Sequence, residues 1–316
     1  MKKDFFNVIA WKELLLMVIC LIATRIFILK YFYAEFELSP TISELEYGLF
    51  VLSAVLLFFS ACIANHCFGI GSVSNKEKKE TQVALVSSKQ AKIFFWVLSI
   101  VAVGLSFARG VPNGFIHLGF ISVASVIAIW LYADRCNRQL LTGKFIVSAL
   151  CALLFILPTI YELFSLMHTP DLFRVIGNEV KQPLFISLFF AVFAFVLCFL
   201  REVIKDLRDK DDDEEAANKD TFAMAFGEKN CKNIAYILTI ILMLTISAYQ
   251  YLYYQHSKLM ILGGISVIVH LPLLYFIKEL RSAQSVQDYD FLAGLLKMVF
   301  VSLLFTITTA KYILQQ

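Results

Sequence analysis

The run Arg201-Glu202-Val203-Ile204-Lys205-Asp206-Leu207-Arg208-Asp209-Lys210-Asp211-Asp212-Asp213 holds the densest set of reactive side chains in the sequence. It follows directly on an apolar stretch. On a continuing helix Asp206, Asp209 and Asp213 stand at i, i+3 and i+7, which is one face. Three carboxylates on one face repel each other unless a cation sits among them. Mg2+ seeks oxygen and typically binds one or two carboxylates together with substrate phosphates. The spacing therefore suits a Mg2+–diphosphate, with Asp206, Asp209 and Asp213 as metal ligands and Arg201 and Lys205 on the phosphates. The same residues suit a solvated helix end, in which Lys205 pairs with Asp209 and Arg208 with Asp212 at i,i+4. Spacing alone leaves both readings open. The acids at 211–215, Asp213 apart, read as a solvated loop.

These side chains need a scaffold, and composition says which kind. Of 316 residues, 59% are hydrophobic and only 17% charged, with a mean hydropathy of +0.74. A soluble domain carries about a quarter of its residues charged; this chain lacks that skin, so lipid must replace water over much of its surface. Apolar stretches fall at 14–32, 47–64, 93–108, 115–133, 145–166, 184–200, 234–254, 259–277 and 291–313. The third is extended back toward Lys89, whose side chain can reach the interface. A span takes roughly 20 apolar residues, whereas barrel strands are about 10 residues long and alternate in polarity. The expected fold is an all-α polytopic membrane bundle of nine transmembrane helices. It forms a single integral membrane domain over 1–316, with polar loops at about 65–90 and 201–232.

Lys2, Lys3 and Lys12 before the first stretch resemble a signal peptide, but no small-residue cleavage pattern follows, so the stretch reads as a retained helix. The seven cysteines include no CxxC and read as reduced, packed thiols.

Orientation follows from the cations. They gather before the first stretch and in the 2–3, 4–5, 6–7 and 8–9 connections, while the 1–2 connection is acidic through Glu35, Glu37, Glu44 and Glu46. By the positive-inside rule the N-terminus is cytoplasmic and, with nine spans, the C-terminus lies outside. The plasma (inner) membrane is the expected location. Arg25 and Glu162 lie inside apolar stretches, where charges usually face a bundle interior; Arg25 has snorkelling as an alternative. His117 and His270 read as packed helix residues.

Residues 201–213, followed by Lys219-Asp220-Thr221 and Phe226-Gly227-Glu228-Lys229, resemble the second aspartate-rich motif of the UbiA prenyltransferase superfamily. Leu131-Tyr132, residues 140–143 and Leu271-Pro272-Leu273-Leu274-Tyr275 are similar to its geranylgeranylglycerol-phosphate geranylgeranyltransferase branch. The resemblance implies a nine-helix intramembrane fold, a Mg2+ cofactor held by Asp206, Asp209 and Asp213, and phosphate contacts from Arg201, Lys205, Asn65, Lys76, Arg135 and Arg138. It implies a prenyl diphosphate, geranylgeranyl among the candidates, as donor. A lipid or aromatic acceptor such as prenylglycerol phosphate would receive the chain. Bilayer lipid is the other partner, and nucleic acid is not one.

The sequence also departs from that family. Its first acidic motif would fall at Asn65-His66-Cys67-Phe68-Gly69-Ile70-Gly71-Ser72-Val73, where His66, Gly69 and Val73 replace the three acids. Lys144 stands in place of the usual Asn, and Ala223 in place of the usual Pro. Imidazole is a poor Mg2+ ligand. Lys76, Lys78 and Lys79 offer cations for phosphate, and Glu77 and Glu80 offer carboxylates. Three functions follow: an active prenyltransferase, a non-catalytic relative that binds a prenyl lipid or a partner, and a membrane transporter. The last would call for paired broken helices, of which Gly263-Gly264 is the only hint.

Overall fold

The computed structural model describes residues 10–68, 88–134, 141–177, 179–210, 222–252 and 263–310. All regular structure among them is helical. In chain order the helices are α1 (Trp11–Ala34), α2 (Glu44–Phe68), α3 (Ser88–Gly110), α4 (His117–Asp134) and α5 (Thr142–Met167). They continue as the short α6 (Pro170–Ile176), then α7 (Lys181–Arg208), α8 (Phe222–Leu252), α9 (Gly263–Ser282) and α10 (Val286–Ile307).

Eight of these helices are long and apolar enough to cross a membrane: α1, α2, α3, α5, α7, α8, α9 and α10. The expectation of nine spans is therefore corrected to eight among the described residues. The stretch at 115–133 forms α4, whose apolar part, His117–Ala133, falls below the length of a span. Its 18 residues rise about 27 Å, short of the roughly 30 Å of a hydrocarbon core. The chain before α4 is used up in a turn. Gly114 has φ +69 there, and a Cβ on it would run into the His168 ring. With an even count, the parity argument that put the termini on opposite sides no longer holds. The chain is an integral membrane protein by its many long apolar helices.

Two compact units make up the chain. The first comprises Met1–Leu21, Pro40–Asn137 and Ile160–Gly177. In it α2 packs along α3, and both pack on α4. Small hydroxyl side chains stitch this trio: Ser53 Oγ donates to the Ala102 carbonyl at 2.9 Å, and Ser122 Oγ donates to Ser106 Oγ at 2.7 Å. Such residues let membrane helices approach closely and bond across the gap. At the other end, Glu162 is fully buried. One of its oxygens accepts from the Thr41 backbone (2.5 Å), the Thr41 hydroxyl (2.7 Å) and the Ile42 backbone (3.3 Å). Glu162 thus pins the segment that leads into α2.

The second unit comprises Ile22–Ser39, Arg138–Thr159 and Asn178–Gln316. Here α7 is flanked by α8 and α10, and α9 packs on α10. Arg25 opens a π-helical turn, Arg25–Lys30, and is buried at 3% exposure, so it faces the interior instead of snorkelling. A second π-helical turn, Ser266–His270, precedes Pro272; Pro has no N–H to donate to the turn before it. His270 is a packed helix residue within hydrogen-bond distance of the Ser247 hydroxyl, 3.0 Å away.

A capping box starts α10. Ser285 accepts from the Asp288 backbone, and Asp288 accepts from the Ser285 backbone. Cys20, Cys62, Cys151, Cys198 and Cys231 are free thiols.

Candidate functional site

The helix α7 runs well past the apolar stretch predicted at 184–200, and its last two turns carry the charged run. Two stripes lie side by side on it. Glu202, Asp206 and Asp209 repeat at i, i+4 and i+7, and so, one position earlier, do Arg201, Lys205 and Arg208. At 100° per residue each set keeps to one face, with the two faces adjoining.

The Lys205 pairing differs from the expected one, and Asp212, the expected partner of Arg208, lies outside the described residues. Lys205 pairs with Glu202 at 2.5 Å, one turn back, and not with Asp209. Arg208 grips Asp209 with two parallel bonds, Nε to Oδ1 at 2.7 Å and Nη2 to Oδ2 at 2.9 Å. A third nitrogen of Arg208 reaches Asp290 of α10 at 3.1 Å. Bidentate guanidinium–carboxylate contacts are among the stronger ion pairs. The helix ends at Arg208, with Asp209 as its cap. Asp213 lies outside the described residues. At the cap, Asp209 turns its carboxylate onto Arg208.

Asp206 is partnered from elsewhere. The Lys144 ammonium, on the first turn of α5, lies 2.5 Å from Asp206 Oδ2. Lys144 is only 7% exposed. The backbone N–H of Phe222, the first residue of α8, donates to the same Asp206 oxygen at 3.1 Å, and the Lys144 ammonium also sits 5.5 Å from the centre of the Phe222 ring. The start of α8 reaches this position through a break at Gly227, where φ is 76° and ψ 156°. That conformation is essentially restricted to glycine. Beyond the break, Glu228 takes the Lys232 ammonium at 2.8 Å and the Tyr289 hydroxyl at 3.1 Å. Lys232 also donates to the Ala283 carbonyl at 2.6 Å.

The remaining predicted residues fall as follows. Arg201 is half-buried on α7 and makes a loose 3.7 Å contact with Glu202. Asn65 is exposed near the end of α2, in the first unit. Asp213, Lys76, Arg135 and Arg138 lie outside the described residues, as does most of the segment that would hold the first motif. Sequence reasoning noticed Lys144 as a departure and did not place it in the site. A lone cation opening an apolar helix was the signal.

The profile of the UbiA prenyltransferase family matches residues 11–304. The chain belongs to that family. Solved structures agree on the fold. A digeranylgeranylglyceryl phosphate synthase superposes with a TM-score of 0.63 at 17% identity, over 98% of this chain and 100% of that one. A UbiA homologue from Aeropyrum pernix K1, solved in its apo form, gives 0.60 at 12% identity over 90% and 96%. A UbiA homologue from Archaeoglobus fulgidus, solved with DMAPP and Mg2+, gives 0.53 at 11% identity over 97% and 99%. At these identities the likeness speaks for the fold alone. No curated protein sequence matches the chain.

The donor set can be tested against the Mg2+ expected of a UbiA protein. Mg2+ demands near-octahedral oxygen ligands. Among the described residues no group of three or more His, Cys, Asp or Glu is placed to hold a metal. The carboxylates of Glu202, Asp206 and Asp209 are each engaged by a cation of the chain itself. The described part of the motif therefore does not fit a divalent metal in this arrangement.

Proposed function

We propose that this UbiA protein moves a prenyl group, geranylgeranyl among the candidates, from its diphosphate to a lipid acceptor such as prenylglycerol phosphate. The observation that carries the reading is the charged end of α7, where the run from Arg201 to Asp209 stands at the end of a membrane helix within a family match that covers residues 11–304. In this reading the allylic C–O bond of the donor breaks and its electron pair leaves with the diphosphate. An acceptor oxygen then bonds to the freed carbon and gives up its proton. Arg201, Lys205 and Lys144 supply positive charge where negative charge grows on the leaving group, which is how fixed charges lower such a barrier. The apolar helices exclude water that would otherwise capture the cation.

One observation favours a second reading, a non-catalytic relative that binds a prenyl lipid: the described acids of the motif are already satisfied by ion pairs, and His66, Gly69 and Val73 replace the acids of the first motif.

Membranes holding the wild type or an Asp206→Asn/Asp209→Asn variant separate the two. They are supplied with labelled geranylgeranyl diphosphate and a panel of phosphorylated glycerol and quinone-precursor acceptors. Prenylated product from the wild type that the variant fails to make is the expected result. Binding of the diphosphate without product from any acceptor would establish the non-catalytic relative. Absence of both would sink the prenyl reading altogether.

A further inference from the structure

The acids of α7 divide by where their cation comes from. Glu202 and Asp209 take theirs from the neighbouring stripe of the same helix. Asp206 takes its cation from α5, through Lys144. Position 206 is where the two-motif resemblance called for a metal ligand. A buried ammonium at 2.5 Å fills the place beside Oδ2 that a divalent ion would need. The carboxylate and the Phe222 ring, 5.5 Å away, sit against the ammonium, and the Phe222 amide fixes the carboxylate by donating to the same oxygen at 3.1 Å.

The cationic stripe is less completely used. The Nε of Arg201 is buried with no hydrogen-bond partner among the described residues, and the guanidinium meets Glu202 only at 3.7 Å. A buried N–H of this kind calls for an acceptor, and planar guanidinium suits phosphate oxygens. The excess binding capacity of the cluster is thus for an anion, since Glu202, Asp206 and Asp209 each already face a cation of the chain.

We propose that the Lys144 ammonium is the resident counter-cation of Asp206 in place of a divalent metal, so that the site takes the diphosphate head of its ligand without Mg2+. The proposal rests on the diphosphate reading above. Lys144 holds Asp206 neutralised and in position, and Arg201 contacts the phosphate oxygens.

The test uses full-length protein in nanodiscs. Binding of geranylgeranyl S-thiolodiphosphate, which resists ionisation, is measured in Mg2+ and in EDTA, with inorganic pyrophosphate as competitor. For the wild type the dissociation constant should change less than threefold between the two buffers, and pyrophosphate should compete in both. Lys144→Gln should weaken binding at least tenfold in EDTA and regain part of it in Mg2+. Lys144→Arg, which keeps the charge, should retain metal-free binding, and this guards against a Gln variant that does not fold. Wild-type binding that collapses tenfold or more in EDTA would overturn the metal-free site while leaving the diphosphate reading standing. Failure of pyrophosphate to compete in EDTA would overturn it as well. No binding in either buffer would remove the diphosphate reading and this inference together.

Discussion

A carboxylate and an ammonium that bury each other are worth less together than either costs alone. Removing one partner of a buried pair typically destabilises by about 3–5 kcal/mol, while replacing both with apolar groups is often neutral. Lys144→Met alone should therefore destabilise the protein by a few kcal/mol, toward the lower end because Asp206 retains 20% exposure. The double variant Lys144→Met/Asp206→Leu should recover most of the loss. Unfolding in mixed micelles would read both, and equal stability of the two variants would show that the pair is not the determinant. Arg201→Gln should leave stability nearly unchanged and weaken diphosphate binding, since Arg201 makes one loose contact. Spacing alone singles out Asp206 and Asp209 as acids of one helix end. Their partners are not legible there, because i,i+4 reasoning sees only one helix, and the Lys144–Asp206 and Arg208–Asp290 pairs each join two.

The elements show what apolar runs reveal and what they hide. Eight of the predicted stretches coincide with long helices, since an uninterrupted apolar run in lipid has to satisfy its backbone internally. Charged residues at a helix end carry no such mark, so the reach of α7 to Arg208 and the start of α8 at Phe222 had to come from the structure. The break at Gly227 is the clearest element-scale device. Its φ of 76° with ψ of 156° is costly for any residue with a Cβ, on the order of 1–3 kcal/mol, although open space surrounds the position. Gly227→Ala should thus destabilise by about that amount through the backbone alone, and loosen the Phe222 amide from Asp206. Amide exchange at Phe222 measured by mass spectrometry should rise, and an unchanged rate would show that the break does not set that contact. At the other connection Ser285→Ala should cost about 1 kcal/mol, the usual worth of an N-cap, read in the same unfolding assay.

For the whole molecule the charge asymmetry of the connections remains the best guide to orientation. Lys2 and Lys3 precede α1 and Lys12 lies in its first turn, while Glu35, Glu37, Glu44 and Glu46 follow it. The positive-inside rule makes a cytoplasmic N-terminus the expectation to test. An impermeant maleimide on intact cells should then label Ser39→Cys and leave Ser74→Cys untouched, with the wild type reporting any background from native cysteines. The reverse pattern would invert the protein. The count of spans was the weaker reading, because hydropathy measures how apolar a stretch is, and α4 is highly apolar yet short. The contact between Glu162 and Thr41 carries a further meaning for how the protein is made. Thr41 meets its partner 121 positions later in the chain, and at roughly 5–20 residues per second of synthesis the ribosome takes on the order of ten seconds to supply it. During that interval α1 and α2 can already be in the bilayer while Thr41 and Ile42 still lack the Glu162 carboxylate. Nascent chains arrested before Glu162 should expose the link between α1 and α2 to protease, and chains carried past α5 should not, so the order of translation sets when the first unit becomes sealed.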